Sequence, residues 1–173
     1  MRIDISKISG WNVASKTRPI KAKPLINLLV DRTVTSKFLV DTLEGKEPLG
    51  DGVVICLGEA GDAWQQMPKK LLGKYDVTAI DNDGWMLCTP KPDNSVNCVE
   101  VTEEMANPNH VLVDPKPGYT DFSIVGQWGA TVGEEKNVQT GNVGDFICQN
   151  RTDPTDVWVV RRKLFLNTYI IKS

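Results

Sequence analysis

Histidine is almost missing from this chain. Among 173 residues there is one, His110, so a Ser-His-Asp triad, a Cys-His pair or a multi-histidine metal site would have to be built on that single side chain. It stands between prolines, with no nucleophile pattern beside it. The glycine signatures of phosphate and dinucleotide loops, the serine-hydrolase elbow and the zinc-protease His-Glu-x-x-His are absent as well. Long apolar runs are lacking too: Val53-Val-Ile-Cys-Leu57 falls far short of the ~20 residues a membrane helix needs. The start, MRIDISKISGWNV, has no apolar signal core, so the expected site of action is cytoplasmic. Net charge is only −2, which provides no global field for nucleic acid or an anionic membrane. Four cysteines, Cys56, Cys88, Cys98 and Cys148, stand singly, outside any Cys-x-x-Cys pattern, and read as small buried apolar residues. No cofactor and no metal site is implied.

What the chain does have is repetition. Gly50 to Val77 and Gly144 to Ile171 share a skeleton at a constant offset of 94: Gly50/Gly144, Asp51/Asp145, Asp62/Asp156, Trp64/Trp158, Lys69/Lys163, Leu72/Leu166 and Tyr75/Tyr169 are identical. Each stretch reads as a hairpin followed by a short helical turn, with Pro68 opening the first helix. Asp81-Asn-Asp-Gly84 between apolar stretches is a second hairpin turn; it lacks the later glutamate of a calcium loop. Arg2 to Val13 alternates as a strand or two. The basic stretch Lys16 to Pro24 reads as an extended arm or edge strand; Leu25 to Val40 fits a short helix then a strand, while Thr33, Val34 and Thr35 favour extended structure. Met105 to Pro117 reads as extended, and Phe122 to Trp128 and Asn137 to Thr140 as short strands around a loop. Many short strands with few helices predict a mainly β (α+β) fold of two related small modules: 1–88, a linker at 89–97, and 98–173.

Three groups are candidate sites. Asp62 with Trp64 and Asp156 with Trp158 pair a carboxylate with an indole, which suits stacking on a base or sugar, and equally suits a hairpin closed by Asp and packed by Trp. Lys16, Arg18, Lys21 and Lys23 form one basic cluster near Trp11, and Arg161 and Arg162, with Lys163, form another near Trp158. Such patches in an acidic chain fit an anion, a nucleotide or an acidic partner, or are solvated faces.

The C-terminal run Gly144-Asp145-Phe146-Ile147, Trp158 and Phe165-Leu-Asn-Thr-Tyr169 resembles the ending of small β-rich proteins of unknown function from tailed bacteriophages. Thr17-Arg-Pro-Ile-Lys-Ala22 is loosely similar to their basic-proline start. The resemblance implies a viral origin and no particular activity. The function expected is therefore that of a phage-like accessory protein binding a host protein, a nucleotide or nucleic acid in the host cytoplasm. A minor structural component of the virus particle, bound to other virion proteins, is the alternative, and an enzyme of unrecognised class comes third. No membrane partner is expected; homo-oligomerisation is left open.

Overall fold

The structure is a computed structural model that describes residues 1–26, 39–42, 45–59, 61–109 and 119–172, with side chains omitted for 39–48. The fold is mainly β. The expected helix and strand over Leu25 to Val40 fall largely outside the described residues, as does His110. Tertiary contacts divide the chain into a middle unit, Ser15–Asn94, and a split unit made of Met1–Ala14 with Ser95–Ser173. The division differs from the expected boundary near 89–97 mainly at the N-terminus, whose first fourteen residues belong with the C-terminal half.

Each unit has a five-stranded sheet. In the middle unit the strands are β2 (Ile20–Pro24), β5 (Val54–Gly58), β6 (Ala63–Gln66), β7 (Tyr75–Ile80) and β8 (Met86–Pro90), in the order β6-β5-β2-β8-β7. A short helix, α1 (Pro68–Lys74), joins β6 to β7, and a separate hairpin pairs β3 (Leu39–Thr42) with β4 (Gly45–Pro48). The split unit uses β1 (Asn12–Lys16), β9 (Ser95–Glu100), β12 (Phe146–Asn150), β13 (Asp153–Val160) and β14 (Tyr169–Lys172), ordered β13-β12-β9-β1-β14. Two further helices belong to it, α2 (Glu103–Ala106) and α3 (Arg162–Thr168), the latter joining β13 to β14. A hairpin of β10 (Phe122–Val132) and β11 (Glu135–Gly141) completes it.

The two sheets follow one plan. Cys56 pairs across its hairpin with Trp64, and Cys148 pairs with Trp158. Through β5 and β12 the matching offset is therefore 92 residues (Cys56 to Cys148), rising to 94 (Trp64 to Trp158) past the hairpin turn. Asp62, Trp64, Lys69, Leu72 and Tyr75 thus match their partners as the sequence alignment has them. Gly50/Gly144 and Asp51/Asp145 do not: by strand register Gly144 corresponds to Gly52, both at positive φ, and Asp145 corresponds to the buried Val53. The backbone amide of Leu25 donates to Val53 O, as that of Val101 does to Asp145 O.

The cores match as well. In the middle unit Ile20, Ala22, Val54, Cys56, Leu71, Tyr75 and Cys88 cluster with Trp64 beside them. In the split unit Val96, Cys98, Phe146, Cys148, Phe165, Tyr169 and Ala14 do the same beside Trp158. Burial pushes the Cys56 thiol up to about 12 and that of Cys98 to about 11, so both stay protonated and act as apolar filler.

The split unit buries its sheet on both sides. Phe146 and Cys148 face α3, while Ile147 between them joins Ile3, Phe122, Ile124, Val157 and Val159 on the other face; this is why β12 is apolar without alternation. The β10–β11 hairpin supplies that second face. Its close approach depends on glycine: a Cβ on Gly126 would lie 2.4 Å from Val157 O. Gln139, buried, then takes the place of a neighbouring strand, donating to Trp128 O at 2.8 Å and accepting from Val159 N at 2.9 Å.

Several local expectations are corrected. The stretch Arg2 to Val13 is not a strand until Asn12: the Asp4 carboxylate accepts from the amide and hydroxyl of Ser6 and caps a 3-10 turn at Ile5–Lys7, a local bond that outcompetes the alternating pattern. The basic proline stretch is no arm or edge; β2 lies between β5 and β8, and Pro24 ends it. Met105 sits in α2, capped by Thr102 Oγ1, rather than in extended chain. The loop foreseen at 129–136 is largely strand, with only a tight turn at Gly133.

Candidate functional site

Asp62 and Asp156 close their hairpins, and each does so by reaching back over the end of the preceding strand. Gly58 N donates to Asp62 O at 2.8 Å, and the Asp62 side chain lies where a Cβ on Gly58 would stand, so no other residue fits there without displacing it. At the corresponding place in the split unit stands Asn150, whose Nδ2 donates to Asp156 Oδ2 at 3.1 Å. Both carboxylates are buried, and Asp62 Oδ1 has no hydrogen-bond partner among the described residues. Trp64 and Trp158 are half-buried against the cores.

The first basic cluster is dispersed through the middle unit. Lys16 Nζ sits 4.4 Å above the centre of the Trp64 ring and 5.9 Å from that of Tyr75, a cation–π arrangement on the core's rim. Arg18 approaches Glu59 at 3.8 Å, Lys21 pairs with Asp81 at 3.1 Å, and the buried Lys23 donates to Asp83 O at 2.8 Å. Asp81 in turn accepts from the amides of Trp85 and Asp83, and these bonds with Lys21 beside it hold its carboxyl below the usual carboxylate range. Lys21 and Lys23 thus tie β2 to the turn between β7 and β8.

Arg161 and Arg162 enter a network. The Asp145 carboxylate accepts from Arg161 Nη1 at 2.7 Å, from the Arg162 amide at 2.9 Å and from the Asn142 amide at 2.9 Å, and Arg162 also pairs with Glu100. Arg162 is the first residue of α3, so Asp145 satisfies an amide that has no partner inside the helix. In the middle unit the same corner is apolar: Val53 stands for Asp145, Pro24 for Glu100, Met67 for Arg161 and Pro68 for Arg162. Pro68 has no amide hydrogen to satisfy, so no carboxylate is needed. In place of a charge network there is an open hollow of about 410 Å³, lined by Pro24, Val53, Val54, Pro68, Leu71 and Met86 among others.

No family model, no curated protein and no solved structure matches the chain. Among the described residues no group of His, Cys, Asp and Glu is placed to hold a metal ion.

One feature of the surface escaped the sequence reading. Leu72 on α1 is 53% exposed and Leu166 on α3 is 56% exposed, and each follows by three residues an exposed lysine, Lys69 or Lys163. Three residues apart on a helix, lysine and leucine share a face. Both residues are identical in the two stretches, but identity alone does not distinguish a packed leucine from an exposed one. Leu71 and Phe165 fill the core position of their helices, while Leu72 and Leu166, the next residue in each, turn outward.

Proposed function

We propose that this protein acts by binding a protein partner, as an accessory protein of the kind that tailed bacteriophages encode. The observation that carries the reading is the Lys-x-x-Leu face present on both α1 and α3, where core packing requires neither residue. The repeated Asp, Trp and Tyr have a role in holding the hairpins and cores, so their recurrence is accounted for by folding. The recurrence of an exposed leucine is not. A half-exposed aliphatic side chain beside an ammonium group suits a partner segment that offers an apolar pocket and a carboxylate. Two such faces in one chain allow two weak contacts to add through effective concentration. The bacteriophage assignment rests on the resemblance of the C-terminal run.

The test is capture from host lysate, with proteins, nucleotides and nucleic acid all analysed in the eluate. One stoichiometric protein is expected on the wild-type chain, weakened by Leu72→Asp or Leu166→Asp alone and lost with both. Because both positions are exposed, urea midpoints should change by no more than an equivalent of ~0.5 kcal/mol. An undiminished partner on the double variant removes these faces from the account. An empty eluate, with the protein sedimenting among purified particles, replaces it with a structural role in the particle.

A further inference from the structure

β1 is followed in sequence by β2 yet lies between β9 and β14, and β8 is followed by β9 yet lies between β2 and β7. The two strands occupy one and the same place in their sheets. Each lies next to the strand that follows the helix, and each puts one fully buried small side chain, Ala14 or Cys88, into that unit's core. The links that leave them are alike too: Thr17-Arg-Pro19 after β1 and Lys91-Pro-Asp-Asn94 after β8.

Register allows the opposite arrangement. Cys88 pairs antiparallel with Ile20. With Ala14 in that position, β1 and β2 would form a hairpin closed by a loop of about three residues around Thr17, a common length. Cys88 opposite Val96, which matches Ile20 in the other core, would give β8 and β9 a hairpin closed by a loop of about five residues around Pro92, also a common length.

We propose that residues 12–80 and 86–172 are duplicates that each encode one complete five-stranded unit, and that the two have exchanged their first strands. β8 closes the middle unit and β1 closes the split unit. Exchange of equivalent strands keeps the sheet pairing in kind, which makes it inexpensive. Pro19 biases the link it ends: it fixes its own φ and keeps Arg18 out of the helical region, favouring an extended passage over a tight loop.

The test begins with the whole folded chain. A protease recognition sequence is placed in the turn after Asp83, between β7 and β8, and the chain is cleaved there. Under native conditions the halves are expected to elute together, because each holds a strand of the other's sheet. After unfolding in urea and refolding at high dilution, they are expected to elute separately at half the size, each with a cooperative unfolding transition. The C-terminal half should be the weaker, since it leaves behind Ile3 and the paired Arg2–Glu135 bridge. Refolded halves that elute only as a 1:1 complex at every concentration would overturn the proposal. So would an N-terminal half without a cooperative transition both as it stands and with Pro19→Gly.

Discussion

Phe165→Ala is expected to be the most damaging single truncation in the chain, at about 5 kcal/mol, while Leu71→Ala at the matching position costs about 3 kcal/mol. Both side chains are fully buried at the centre of their cores. The difference lies in what surrounds them. Phe165 stacks between two rings, with Phe146 at 3.8 Å and Tyr169 at 4.7 Å between centroids, and interplanar angles of 7° and 9°. Each such pair contributes ~0.5–1.5 kcal/mol beyond its buried area. Leu71 is aliphatic, with Val54 in the place of Phe146, and so makes neither of these stacks. Urea titration followed by tryptophan fluorescence checks the order. A smaller loss for Phe165→Ala than for Leu71→Ala would mean that the aromatic stack adds nothing to the split unit's core.

Asp145→Ala is expected to cost about 2–4 kcal/mol, whereas Asp51→Ala changes stability by less than ~0.5 kcal/mol. The two residues look equivalent in sequence and are not. Asp51 is exposed in a turn, while the Asp145 side chain is 9% exposed and carries three donors. Its removal strands the Arg162 amide and the Asn142 amide and leaves Arg161 unpaired at a site only partly reached by water. The middle unit indicates the remedy. Asp145→Val combined with Arg162→Pro reproduces Val53 and Pro68 and removes an orphaned amide along with its acceptor. This double variant should therefore be more stable than Asp145→Val alone, even though Glu100 loses its ion pair; exposed as that pair is, it contributes little. Additive losses in the double variant would contradict the role given to Asp145 as acceptor for the helix.

The same comparison marks how far the sequence could be read. The hairpin at Asp81–Gly84, the hairpin that brings Asp62 and Trp64 together and the helix opened by Pro68 were legible because turn residues and proline act locally, within a few bonds of where they stand. The pairing of β1 with strands some eighty or more residues away leaves no local trace, so the N-terminal strand was assigned to the wrong half. Gly50 and Asp51 misled because the β12–β13 hairpin is two residues longer than β5–β6, and an ungapped alignment cannot show a change of offset inside a turn. Among the candidate site residues, Asp62, Trp64, Asp156 and Trp158 were placed correctly on their hairpins. What composition could not reveal was that most of the basic residues have partners nearby, since ion pairs such as Lys21 with Asp81 join positions far apart in the chain.

The central claim is that the chain builds two cores on the same positions, each with its own helix. Amide hydrogen exchange of the whole protein, resolved by peptide, tests it most directly. The account expects two separate zones of slowest exchange, residues 54–56 with 71–75 and residues 146–148 with 165–169. Slow exchange confined to one zone, with the other exchanging as fast as the turn at Asp81–Gly84, would contradict it.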